Sequence, residues 1–517
     1  MTFTMPAGSG YVVTINEDGL SLITLDGAVI AEGPTMLFNG SWAYAPGLTR
    51  DLTLAEKSAE SLPNGMVVRH RYTGAVTARV DYTYQVQGAD VLVTARVTSE
   101  GAAIPVVGFK SPHVLVANWA MAQALGIGYG WDHTHTQDRG VSLAYPSSEV
   151  PMAAATIDTV TANGAPIRIA QWAMNDVNDP SMTLGFGIFQ QPGVALAMIF
   201  PSEVPAGGAR VFRWGYRLPA CSGADLLGGY KAHLDATLQP RTTPIAKPFA
   251  QFAHLDPSHV RPDNPYGYQD AGDGWRRFDL SVTPYVEGLA PAMQEAGCAG
   301  LLMWQPQGVH PRGVMYRPDF HVWPAPVLAN LPALVNGFAQ RGLSVGLLAR
   351  PSSTITSATW DTDWIARSGT SATALSEFIQ RVRWAMDRGF QHWYLDSFIQ
   401  GEDDHRILRA MRQAVGPDAQ LFCEFSTVAS LADAAGYEEL RWESGAWRHS
   451  RFYQTLRTLV PASSWLIKFV GPLPPGGYAD LFDYCLAERT CPLLDDWLIA
   501  GDVDRARTLM AARWGTA

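Results

Sequence analysis

Between residues 245 and 517 one rhythm recurs eight times: a short apolar run, then a longer segment with helical spacing. The runs are 249–255 (FAQFAHL), 299–304 (AGLLMW), 343–350 (LSVGLLAR), 391–397 (QHWYLDS), 419–425 (AQLFCEF), 438–444 (EELRWES), 464–470 (SWLIKFV) and 491–495 (CPLLD). Short apolar runs alternating with helical segments specify βα units and a parallel sheet. Eight such units in roughly 270 residues is the size of a (β/α)8 TIM barrel. The clearest helix is 371–388, where Leu375, Phe378, Ile379, Val382 and Met386 recur at helical spacing and Gly389 supplies the stop.

Upstream, short alternating segments between turn residues, such as GYVVTINEDG and ARVDYTYQVQG, indicate antiparallel β structure. Val80, Tyr82 and Tyr84 alternate with Asp81, Thr83 and Gln85, as expected where one sheet face is buried and the other wet. The expected organisation is multi-domain: an all-β sandwich over residues 1–244, then the barrel over 245–517. At 47% hydrophobic and 17% charged, the 517-residue chain has enough apolar material for two large cores. The tract 118–151, containing GIGYGWDHTHTQDRG, is too irregular for a strand and is expected to be a long loop reaching toward a site.

A formal charge of -10 gives no electrostatic reason to expect nucleic acid. No run approaches the roughly 18 apolar residues of a membrane span, and the start, MTFTMPAGSG, lacks the basic and apolar regions of a leader. The expected location is therefore cytoplasmic as written, or periplasmic or secreted had a leader been removed. Cys221, Cys298, Cys423, Cys485 and Cys491 are odd in number and without CxxC spacing, which favours reduced thiols over disulfides or a zinc cluster.

Active sites of such barrels lie at the carboxyl ends of the strands. Strand four, HWYLDSF, places His392, Tyr394 and Asp396 on one face by the two-residue period. Strand five, LFCEFST, gives Glu424 the equivalent height above Phe422, and strand six, ELRWES, gives Glu443 the same status. A lone strand-end acid also suits the N-cap of the following helix, whereas acids on three consecutive strands point to a site. Two facing carboxylates are what glycoside hydrolysis requires, and adjacent strands favour the close spacing of a retaining mechanism. For Glu424 to protonate a leaving group, Phe422, Phe425 and Asp396 are expected to raise its pKa.

Trp304, Trp323, Trp393, Trp442 and Trp447 fall at or after strand ends. Aromatics fill cores as readily as they stack on sugars, and Trp304, Trp442 and Trp447 are the ones expected to face the site. Arg350, Lys468, Asp495 and Asp496 end strands three, seven and eight and are candidate hydroxyl binders. GEDDHR (401–406) reads as the acidic start of a helix rather than a metal site, and His133 and His135 as part of a polar loop. No metal or cofactor is expected; motifs for nucleotides, NAD and the hydrolase elbow are missing.

An N-terminal β-supersandwich followed by this barrel, with GFQHWYLDSF as its fourth strand, resembles glycoside hydrolases of the α-galactosidase-like clan and the endo-α-N-acetylgalactosaminidase-like families. The resemblance covers most of the chain and implies Asp396 as nucleophile, with Tyr394 where the clan has a lysine. It implies Glu424 as acid/base if the galactosaminidase-like pattern holds, and Glu443 if the α-galactosidase-like pattern holds. The implied activity is retaining hydrolysis of α-linked glycosides in oligo- or polysaccharides. Two alternatives stand beside it: a non-catalytic carbohydrate-binding or structural barrel, and a polysaccharide lyase or epimerase with Tyr394 or His392 as base.

Overall fold

The structure, a computed structural model, describes residues 1–8, 10–39, 52–115, 141–145, 152–160, 166–174, 184–190, 194–200, 202–218, 223–252, 282–303, 325–349, 353–355, 364–366, 372–396, 402–450, 452–495, 498–499 and 506–515. Two compact units divide the chain: Met1–Gln239 with Thr427–Ala429 and Thr455–Pro461, and Pro240–Ser426 with Ser430–Gln454 and Ala462–Ala517.

The first unit carries two antiparallel sheets. One runs Thr2–Pro6, Tyr11–Asn16, Gly19–Leu25, Ala28–Glu32, Val107–Val114, Val194–Phe200, Leu184–Gln190 and Val141–Tyr145, with Met36–Asn39 added against Val107–Val114. The other runs Ala154–Val160, Pro166–Ala173, Ala209–Arg217, Asp90–Ser99, Ala78–Gln87, Gly65–Gly74 and Leu52–Leu62. Alternation explains the core: Val80, Tyr82 and Tyr84 are buried, while Asp81 and Thr83 between them are half-exposed. Tyr82 meets Phe109 edge-on at 6.1 Å, bringing together side chains from both sheets.

The second unit is a closed barrel of eight parallel strands: Phe249–Phe252, Gly300–Met303, Ser344–Ala349, Phe390–Leu395, Gln420–Cys423, Ala435–Glu443, Trp465–Phe469 and Cys491–Asp495. Closure comes from the first strand pairing with the eighth, Phe249 opposite Leu493. Each strand falls on one of the eight apolar runs; the sixth begins at Ala435, three residues before the expected 438. The helix expected at 371–388 spans Ala372–Met386, with Phe378 and Val382 buried. Glu402–Arg406 of the GEDDHR string open the next helix, Glu402–Val415. Between the fifth and sixth strands a single 3-10 turn, Ser430–Ala432, stands where a helix would be.

Side chains of one parity fill the lumen in layers. Phe249, Leu302, Leu348, Tyr394, Phe422, Ala435, Tyr437, Leu466, Cys491 and Leu493 form one buried cluster with one or two residues from every strand. His392 lies a layer lower, and its ring fits because a neighbouring strand carries no side chain there: a Cβ on Gly346 would fall 2.0 Å from it. The segment before the first strand is stitched to strand starts and turns of the same unit. Arg241 N–H donates to Ala432 O at 2.6 Å and Ile245 N–H to Ser464 Oγ at 3.0 Å. The Arg241 guanidinium also grips both oxygens of buried Asp433, at 2.6 and 2.9 Å.

Candidate active site

Above that apolar layer the inner-face positions turn polar. The fourth strand places Asp396 one step beyond Tyr394, with its backbone N–H on Ala349 O at 3.1 Å and its side chain almost wholly buried. Glu424 follows Phe422 on the fifth strand, and its N–H reaches Leu395 O at 3.3 Å, so the ladder holds the two acids side by side. Neighbouring strands lie about 4.8 Å apart, which brings same-face side chains at matching height close together. Phe422 is buried beneath Glu424, whereas Phe425 points the other way and is 38% exposed. Only Phe422 therefore serves as the apolar neighbour expected for that carboxylate.

The sixth strand corrects the reading of Glu443. Its barrel portion ends where Leu440 pairs with Phe469, and the chain then continues as a two-stranded ribbon in which Arg441, Trp442 and Glu443 face Arg448, Trp447 and Ala446. Ser444 and Gly445, at φ of 54° and 78°, make the two-residue turn. Glu443 is thus exposed at the ribbon tip, well outside the ring of strand ends. The acid at the strand end is Glu439, which shares the inner face with Tyr437, pairs in register with Lys468 and lies 3.5 Å from Arg441. The signal was present: extending the alternation back from ELRWES through GYEE puts Tyr437 and Glu439 on one face.

Lys468 and Asp495, both expected at the site, meet there at 2.5 Å. Lys468 also donates to Gln251 Oε1 at 2.9 Å, so strands seven, eight and one share one polar knot. Gln251 escaped the sequence reading, although FAQF places it on the face of Phe249.

Trp442 and Trp447 depart from expectation. They share the parity of Leu440 and Glu438, on the outer side of the strand, and meet edge-on at 5.0 Å. Trp447 packs on Tyr484 at 4.9 Å and on Phe469 at 6.2 Å, also away from the lumen. His392 departs too: with Phe249 at 4.8 Å and Ser344 Oγ at 3.2 Å, it is a core residue below Tyr394. Trp304, Trp323, Arg350, Asp496, His133 and His135 lie outside the described residues.

The electrostatics bear on which groups can act as a base. Burial, and then Tyr437, Glu424, Asp396 and Glu439, push the Tyr394 phenol well above its ordinary value. Tyr437 is shifted the same way, by burial first and then by Glu439 and Glu424. The two rings meet edge-on at 4.8 Å and stay neutral beneath the acids. Burial drives His392 down to about 3, keeping its ring neutral. A lyase mechanism needs a proton acceptor touching substrate; Tyr394 resists ionisation and His392 is enclosed below it.

The described chain is thus a unit of two antiparallel β-sheets followed by a (β/α)8 barrel with acids at the ends of its strands. No protein-family model matches the sequence, and no curated protein matches it. Among solved structures the chain is similar to the α-N-acetylgalactosaminidase NagBb from Bifidobacterium bifidum, at 14% identity and a TM-score of 0.55, covering 99% of this chain and 93% of that one. It is also similar to the family 36 α-galactosidase AgaA from Geobacillus stearothermophilus, at 9% identity and a TM-score of 0.52, covering 99% and 86%. At identities this low the likeness shows a common fold alone. No described helix is long and apolar enough to cross a membrane.

Proposed function

We propose that the chain is a glycoside hydrolase that cleaves α-linked sugars with retention of configuration. The observation that carries the reading is the placement of Asp396 and Glu424 at matching height on adjacent strands at the carboxyl end of a barrel. Retaining enzymes hold their two carboxyl groups about 5 Å apart, the spacing that adjacent strands supply. The α linkage is taken over from the named activities of the two structural neighbours.

Asp396 attacks the anomeric carbon while the acid/base protonates the departing glycosidic oxygen, leaving a glycosyl ester on Asp396. The acid/base, now a carboxylate, takes a proton from water as the water attacks the same carbon and frees Asp396. Glu424 is the first assignment for this second role, and Glu439, the inner-face acid of the sixth strand, competes with it. Lys468, Asp495 and Gln251 bind sugar hydroxyls. No step calls for a cofactor.

Wild type and Asp396→Asn incubated with α- and β-linked oligosaccharides, with product anomers followed by proton NMR, test the proposal. Retention in wild type and at least about a thousandfold loss in the variant, about 4 kcal/mol of transition-state stabilisation, are expected. Turnover surviving the substitution removes Asp396 from its role. Of Glu424→Gln and Glu439→Gln, the acid/base variant keeps activity on aryl glycosides whose leaving group needs no proton, and azide restores it further.

A further inference from the structure

The buried layer under the acids carries two hydroxyls among side chains that are otherwise hydrocarbon and one thiol. They belong to Tyr394 on the fourth strand and Tyr437 on the sixth, both almost wholly buried. The two rings meet edge-on at 4.8 Å, and the hydroxyls share a hydrogen bond. The fourth and sixth strands flank the fifth, so the pair closes the lumen in front of the strand that leads to Glu424. Strand register shows which acid the pair adjoins. Leu395 pairs with Cys423, and Cys423 with Gly436. One further step along both ladders puts Glu424 between Asp396 on one side and Tyr437 on the other, each about one strand spacing away. Glu424 therefore has one charged neighbour and one phenol at its own height.

A proton count says what the phenols can do. Two hydroxyls hold two protons, and the bond between them uses one. The other O–H is buried and takes an acceptor, as buried hydroxyls do. The acids around the pair are Glu424, Asp396 and Glu439, and burial together with these charges keeps both phenols protonated. Glu439 lies two residues beyond Tyr437 on the same strand, is 46% exposed and engages Arg441 at 3.5 Å. Among the described residues, the remaining charged groups on that inner face are Lys468 and Asp495, which hold each other. His392, a layer below Tyr394, is neutral. Glu424 is thus the acceptor that both position and charge leave for Tyr437.

We infer that Tyr437, steadied by Tyr394, is a positioning residue for Glu424, its phenolic O–H donating to the carboxylate from the sixth-strand side. The inference rests on the glycosidase reading of the same site and gives Glu424 precedence over Glu439 as its acid/base. In the first step the Glu424 proton passes to the departing oxygen; in the second, water returns one to Glu424. The Tyr437 proton stays on its oxygen throughout. A fixed donor holds the carboxylate in place between the two steps and favours its charged form.

Carbon-13 NMR of the full chain, labelled at the carboxyl carbon of glutamate, tests this without depending on turnover. The Glu424 and Glu439 resonances are identified by their loss in Glu424→Gln and Glu439→Gln. Removing a donor disfavours the charged form, so in Tyr437→Phe, which keeps the ring, the Glu424 midpoint should rise by about 0.5 to 1 pH unit. Tyr394→Phe should raise it less, because it removes only the group behind the donor. The alkaline limb of the kcat/KM profile should move with the midpoint. An unmoved or lowered Glu424 midpoint in Tyr437→Phe, a larger shift from Tyr394→Phe, or a larger shift at Glu439 overturns the inference. Glycoside turnover alongside an unmoved midpoint sinks the positioning role and leaves the glycosidase reading intact. A raised midpoint without turnover of any glycoside supports the hydrogen bond and sinks the glycosidase reading.

Discussion

Acid should loosen the barrel through two histidines buried within it. Burial lowers His392 to about 3 and His405, on the helix Glu402–Val415, to about 4. Both rings are therefore neutral when folded, and the unfolded chain, with ordinary values near 6.5, binds their protons more tightly. Stability accordingly falls as pH drops below about 6.5, until His405 titrates near 4 and His392 near 3. From pH 7 to 5 each ring contributes about 2 kcal/mol of loss, roughly 25-fold in the opening equilibrium, and the pair about 4 kcal/mol. Hydrogen exchange of the amides in Phe390–Leu395, corrected for intrinsic rates, reads this directly. His392→Phe, which keeps a ring and loses the titration, should remove about half of the decline on a logarithmic scale. A decline in wild type of less than about tenfold, or an equal decline in the variant, refutes the reasoning.

Asp433→Ala leaves Arg241 and the partly buried Arg409 without their carboxylate and should cost about 3–5 kcal/mol, measured by urea denaturation. Gly346→Ala drives a methyl group into the His392 ring and should cost about 1–3 kcal/mol; adding His392→Ala should return part of that loss, a coupling read from the double-mutant cycle in thermal melts. Trp447→Ala unpacks the back of the ribbon and should speed proteolytic cleavage at Ser444–Gly445 while leaving barrel amides protected.

How far the sequence carried depended on whether neighbouring residues shared one kind of structure. All eight barrel strands were legible because each is a short apolar run between helical or turn segments, and strict alternation placed Tyr394 and Asp396 on the inner face. Glu443 misled because ELRWES alternates without a break from barrel strand into ribbon, and period alone does not mark where a strand leaves its sheet. The turn at Ser444–Gly445 was the missing cue, and it moves the strand-end acid back to Glu439. Trp442 and Trp447 were assigned by position rather than parity, and parity puts them outside. Gln251 pairs with Lys468 across 217 residues, a contact no local pattern encodes.

The stitching ahead of the first strand sets the order of events on the ribosome. Arg241 waits for Asp433, 192 residues later, and Ile245 for Ser464, 219 later. At about 5–20 residues per second, those donors stay without their partners for roughly ten to forty seconds of translation. Over the same interval the Phe249–Phe252 strand lacks its Cys491–Asp495 neighbour and carries an open edge. The nascent barrel is thus an open ring of six strands until its last two emerge.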